Sequence, residues 1–168
     1  LDAKGVHLIF RALSLLPDHL LNKFSLVVYG NLNHISRYGE RIREMATHLP
    51  NVTFGGVYPH SDSARIFSGI DLLLVPSLWY DFPLIIFEAF TTQTPVIATN
   101  LGGMAESVSH DINGLLFERG DAVDLAGQLR RIADETGLLQ RLAGGMPPVK
   151  RNDEELEEFT QIYLGLQK

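Results

Sequence analysis

A single glutamate, Glu88, stands in the apolar run "SLWYDFPLIIFEAF", residues 77–90. A carboxylate between Phe87 and Ala89 must reach solvent, pair with a cation or wait for a ligand, because burying it unpaired costs several kcal/mol. Pro83 suits the first position of a helix, and such a helix places Glu88 about one turn inside. The free N–H groups at the helix start can meet an anion, with Glu88 offered to hydroxyl groups beside it. An anion next to a vicinal diol describes a nucleotide's phosphate and ribose. The plainer alternative is that Glu88 pairs with an arginine or extends to water.

Other chemistries find little support. The chain has no G-x-x-x-x-G-K-[ST] and no G-x-G-x-x-G, which disfavours a nucleoside triphosphatase or an ordinary dinucleotide dehydrogenase. It has no H-E-x-x-H and no G-x-S-x-G, and its six histidines are scattered. No cysteine is present, so disulfides and thiolate metal sites are excluded. The net charge of −6 gives no broad basic footprint, so no nucleic-acid partner is expected. No apolar run reaches the roughly 20 residues of a membrane span, and "LDAKGVHLIF" lacks the features of a signal peptide. The expectation is a soluble, cytoplasmic chain.

Such residues need elements to hold them. Val6, Ile9, Phe10, Leu13 and Leu16 follow helical spacing up to Pro17. "FSLVVYG" reads as a buried strand, and a helix from about Ile35 to His48 carries Ile42, Met45 and Leu49, with Arg37, Arg41 and Arg43 outside. "NVTFGG" is a short strand, followed by a helix near Ser63 to Ser68, the strand "DLLLVPS", a helix near Leu84 to Thr91 and the strand "TPVIAT". The strand "GLLF" and helices over Val123 to Glu135 and Leu138 to Leu142 follow, and a terminal helix is expected at about 152–165. Apolar strands alternating with helices predict an α/β fold, a Rossmann-like doubly wound parallel sheet covered by helices on both faces, as a single domain over 1–168. A doubly wound unit normally opens on a strand, so the first strand is expected upstream. In such sheets ligands bind beyond the carboxyl ends of the strands, which directs attention to "YGNLN", "FGGVYPH", "PSLWYDFP" and "TNLGGMAE".

Along the whole chain, "KG" at Lys4, "VVYG" at Val27, "NVTFGG" at Asn51, "DLLLVPS" at Asp71, "FPLIIFEA" at Phe82, "TPVIATNLGGMAE" at Thr94 and "NGLLFERGD" at Asn113 occur in one order. That order resembles the C-terminal, nucleotide-sugar-binding half of the group 1, family 4-like retaining glycosyltransferases, which have two Rossmann-like domains (the GT-B fold). The resemblance implies transfer of a sugar from a nucleoside diphosphate to an acceptor hydroxyl without a cofactor or metal, and an N-terminal acceptor domain of the same enzyme as partner. This half alone would bind donor without transferring it, and peripheral membrane contact of the full enzyme, at the inner face, stays open.

By position, Lys4 resembles the lysine on the donor diphosphate, whose usual partner arginine would lie upstream. Glu88 resembles the glutamate on the ribose hydroxyls. The N–H groups of Leu84 and Ile85 would face the diphosphate, and Gly56, Val57 and Tyr58 would hold the base by main chain. Gly30 would let a strand end approach the donor. The family places two acids with seven residues between them, but here Tyr80 occupies that register and Asp81 leaves only six. Asp81, preceding Phe82 in the strand-end loop, is the candidate for the catalytic, sugar-contacting acid together with Lys4. Trp79 reads as a rim residue or a sugar platform, and Gly102 and Gly103 as a tight turn with Glu106 as a helix-start charge. Two other readings remain: a non-catalytic α/β interaction module, and a nucleotide-sugar epimerase-like enzyme.

Overall fold

A computed structural model describes residues 2–31, 36–79 and 83–148. Helix α1 (Val6–Ser14) and a short α2 (Asp18–Leu21) precede strand β1 (Leu26–Tyr29). Helix α3 (Ser36–Ala46), strand β2 (Val52–Gly56), helix α4 (Ser63–Phe67) and strand β3 (Leu73–Val75) follow. The second half holds α5 (Leu84–Thr91), β4 (Val96–Thr99), α6 (Gly102–Ser107), β5 (Gly114–Phe117), α7 (Ala122–Asp134) and α8 (Leu138–Gly144). The expected terminal helix lies outside the described residues.

All ladders are parallel, as the βαβ alternation requires. β3, β4 and β5 form one three-stranded ladder in that order, with Ile97 opposite Leu74 and Leu115. β1 and β2 form a second ladder. The α/β fold is as expected, but its strands fall into two ladders, because β1 and β3 do not bond to each other.

Two apolar layers hold the described residues together. On one face Leu8, Ile9, Ala12 and Leu13 of α1 pack with Ile97, Leu115, Phe117 and Leu125, Ala126 and Leu129 of α7. On the other, Phe67, Val75, Ile86, Ala89, Phe90, Val96, Ala98 and Met104 pack together. Side chains alternate across a strand, so in β4 Ile97 serves the first layer and Val96 and Ala98 the second, and the whole strand is buried. The expectation of a buried "FSLVVYG" strand is corrected: β1 alternates half-buried and exposed, with Val27 and Tyr29 open. An apolar sequence cannot specify burial when nothing packs on one side of it.

Local chemistry sets the boundaries. Asp121 caps α7, its carboxylate accepting from Val123 N–H at 2.8 Å and Asp124 N–H at 3.1 Å. Gly5, at φ 65°, takes the left-handed conformation that leads into α1, and a Cβ there would overlap the Pro76 carbonyl oxygen. Arg41 and Arg43 are exposed, while Ile42 between them is buried.

Candidate functional site

Helix α5 begins at Leu84, with Pro83 as its extended N-cap at φ −80° and ψ 101° rather than as its first helical residue. The Pro83 carbonyl accepts from Ile86 N–H at 3.0 Å. That leaves the N–H groups of Leu84 and Ile85 in the unsatisfied first turn, with the Leu84 side chain 68% exposed. Ile86, Ala89 and Phe90 fasten the opposite side of the helix to the core. Glu88 is half-buried, and no hydrogen bond or salt bridge to its carboxylate occurs among the described residues. Its charge acts on Tyr58: burial first, then Glu88 and Tyr29, push the Tyr58 phenol above its ordinary value. Glu88 of α5 and Tyr58 after β2 are therefore close enough for the carboxylate's charge to act on the phenol, although 30 positions separate them in the chain.

The ends of β1 and β2 build the other side. Their register shifts between Val28 and Tyr29, so Val28 pairs with Phe54 but Tyr29 with Gly56. The extra residue, Gly55, lies under the Tyr29 ring, where a Cβ would overlap the ring. Such irregularities re-aim the chain beyond them. Gly30 N–H then donates to the Gly56 carbonyl at 2.8 Å, closing the two strand ends together. Gly56 sits at φ 69°, a conformation glycine enters without strain, and space is open above it. Val57 is 72% exposed, and Tyr58 packs edge to face on Tyr29 at 5.2 Å.

Lys4 is anchored through its neighbour to the loop that follows β3. It ends a 3-10 turn, and its neighbour Ala3 accepts from Leu78 N–H at 2.7 Å and from Ser77 Oγ at 3.3 Å. These bonds hold the backbone at Lys4 beside the carboxyl end of β3, where the loop toward α5 departs. Lys4, Gly30, Gly56, Val57, Tyr58, Leu84, Ile85 and Glu88 thus all stand at the carboxyl ends of the strands or on the helix that follows one. Asp81 and Phe82, with Tyr80, lie outside the described residues. Trp79 is 69% exposed in the same loop.

Two sequence expectations are revised. Gly102, at φ 49°, opens the six-residue helix α6, with Leu101 N–H turning back to the Thr99 carbonyl at 2.8 Å. Glu106 is the fifth residue of that helix, not a charge at its start. Sequence reasoning also passed over Tyr29, whose signal was an aromatic residue immediately before the strand-end glycine, and Thr99, whose fully buried hydroxyl has no partner among the described residues at the end of β4. An open cleft of about 520 Å³ lined by Arg11, Leu15, Met45 and Asp121 contains none of the predicted residues.

Parallel α/β sheets hold ligands beyond the carboxyl ends of their strands, which is where these groups stand. The model of the family described as "Glycosyl transferases group 1" matches residues 1–144, and the chain belongs to that family. It is 30% identical over 132 residues to the D-inositol 3-phosphate glycosyltransferase of Thermomonospora curvata, covering 75% of this chain and 31% of that one. It is 31% identical over 113 residues to an Escherichia coli UDP-Gal:alpha-D-GlcNAc-diphosphoundecaprenol alpha-1,3-galactosyltransferase, covering 63% of this chain and 28% of that one. The chain thus spans about a third or less of these relatives. Among solved structures, Anabaena HepE in complex with UDP superposes with a TM-score of 0.77 at 25% identity, covering 87% of this chain and 40% of that one. The C-terminal domain of a group 1 glycosyl transferase from Francisella tularensis shares the fold, with a TM-score of 0.75 at 20% identity, covering 86% and 76%. Among the described residues, no helix is long and apolar enough to cross a membrane.

Proposed function

We propose that this chain is the donor-binding part of a retaining glycosyltransferase, taking a nucleoside-diphosphate sugar at the carboxyl ends of its strands. The observation that carries the reading is the half-buried Glu88 carboxylate, without a salt bridge among the described residues, about one turn inside α5 from its open N-terminus. Glu88 accepts hydrogen bonds from the ribose hydroxyls. The N–H groups of Leu84 and Ile85, with the Lys4 ammonium, neutralise the diphosphate, and electrostatic stabilisation of a leaving group in this manner is often the largest part of catalysis. Gly30 and Gly56 leave room for the ligand, and the main chain of Gly56 to Tyr58 holds the base. Asp81, followed by Phe82, contacts the transferred sugar. The anomeric carbon exchanges its bond to the diphosphate for one to an acceptor hydroxyl, with configuration retained and no metal required. The acceptor is held by another part of the same enzyme. The relatives' names and the UDP complex of HepE support the donor class.

Calorimetry with UDP, GDP and ADP tests the reading, and binding of none of them by folded protein would overturn it. Glu88→Ala weakens the nucleotide by ten-fold or more while inorganic pyrophosphate is little affected; equal losses would remove the ribose assignment. Transfer by the full enzyme is expected to survive a chelator.

A further inference from the structure

Two pins hold the loop that leaves β2, and both belong to the end of β1. The first is main chain: Gly30 N–H donates to the Gly56 carbonyl at 2.8 Å, a bond open to any residue that carries an N–H. The second is a side chain: the Tyr58 ring meets the Tyr29 ring edge to face, with centroids 5.2 Å apart and planes at 82°. Between the pins Val57 turns its side chain to solvent, 72% exposed. Neither tyrosine makes a side-chain hydrogen bond among the described residues, so what joins them is the packing of two rings.

Tyr29 belongs to neither of the two core layers. It lies on the exposed side of β1, where the register with β2 slips. The extra residue at the slip, Gly55, passes beneath the Tyr29 ring, and a Cβ there would overlap the ring atoms. Glycine leaves the ring that seat because it has no side chain to displace. A slip of this kind re-aims the chain beyond it. Here the residue that makes the slip is covered by the same ring that braces Tyr58 further along the loop.

A base held by main chain is read through N–H and C=O groups whose directions follow the backbone angles. Hydrogen bonds weaken steeply away from good distance and alignment, so a fixed loop favours the base whose edge matches it, whereas a loop free to shift refits to several. Selectivity is the difference between those affinities. We propose that Tyr29 is a positioning residue for donor selection: seated on Gly55 and packed on Tyr58, its ring fixes the main chain of Gly56 to Tyr58 and thereby sets which nucleoside base is preferred. The inference rests on the donor-site reading and adds to it the residue on which base selection depends.

Calorimetry of the full-length enzyme with UDP, GDP, ADP and inorganic pyrophosphate tests this in the wild type and in Tyr29→Ala, Tyr29→Leu and Tyr29→Phe. The wild type is expected to prefer one nucleotide. Tyr29→Ala and Tyr29→Leu are expected to lose roughly three- to ten-fold in affinity for it, the contribution of one edge-to-face aromatic pair, and less for the other two, so that the preference shrinks while pyrophosphate binding is unchanged. Tyr29→Leu keeps apolar cover over Gly55, so a loss shared by both variants reports the aromatic contact. Tyr29→Phe retains the ring and is expected to retain the preference. A preference unchanged in Tyr29→Ala and Tyr29→Leu, including one in which all three affinities fall together, would overturn the proposal. So would a preference lost in Tyr29→Phe, or equal binding of the three nucleotides by the wild type. Failure of the wild type to bind any of them is a separate result, which overturns the donor-site reading and this inference with it.

Discussion

Strands β4 and β1 are both written in apolar letters, VIAT and LVVY, and the structure treats them differently. β4 lies between two partners and two core layers, and every residue is buried. β1 has one partner, and Val27 and Tyr29 remain about two-fifths exposed. The three-stranded half carries the packing energy of the described residues, whereas the two-stranded half carries strand-end glycines, a register shift and a tyrosine pair. The candidate site lies across both, with Glu88 supplied by the firm half and Gly56 to Tyr58 by the open one. A helix start anchored in the core is thereby combined with an exposed strand-end loop.

The sharpest way to break this contrast is to shorten one apolar strand residue in each half. Ile97→Ala, in β4, is expected to lower stability by about 2–5 kcal/mol, and Val27→Ala, in β1, by at most about 1 kcal/mol. Urea unfolding of the two variants measures this, and equal losses would dissolve the distinction. Gly5→Ala should cost about 2 kcal/mol, from the left-handed backbone and the overlap with Pro76. The damage should fall on the seam between α1 and β3, seen as faster amide exchange in the first turn of α1.

A smaller effect tests whether the halves meet at the site. The raised phenol pKa of Tyr58 means that the folded state holds this proton more tightly, so its contribution is present below the ordinary tyrosine value and lost as pH rises through the folded one. Glu88→Gln removes one raising charge and should move the Tyr58 titration downward in a ¹³C-tyrosine NMR experiment. An unmoved midpoint would separate the two residues.

The smallest change is expected far from the site. Arg131 donates to both Asp111 and Glu135 at 2.6 Å, and these bonds hold both carboxyls below their ordinary range. Their contribution is present at neutral pH and lost as pH falls below the carboxylate range through the folded values. Arg131→Met should therefore reduce the stability difference between pH 7 and pH 3 without altering nucleotide binding.

Much of the fold was legible because its signals are local. The helix over Leu84 to Thr91 and the strand Gly114 to Phe117 follow from apolar periodicity and flanking turn residues. Glu88 and the strand-end glycines were legible as site candidates because parallel α/β sheets collect ligands at one edge, and Lys4 through its place in the ordered motifs of the family. The helix at Gly102 to Ser107 was not, since two glycines disfavour a helix and only packing of Met104 in the second core layer overrides them. The exposure of Val27 was hidden for a related reason: burial depends on what lies alongside a strand, and its own letters do not record that.

By itself the sequence determined the order and hand of the elements and the polar residues available at their ends, because periodicity, turns and caps act within a few residues. Only the tertiary structure decided that the charge of Glu88 reaches Tyr58, that Ala3 is tied to Leu78 and that β1 and β3 stand apart. Each depends on surfaces brought together over tens of residues, where packing and backbone hydrogen bonding, not local preference, choose the neighbour.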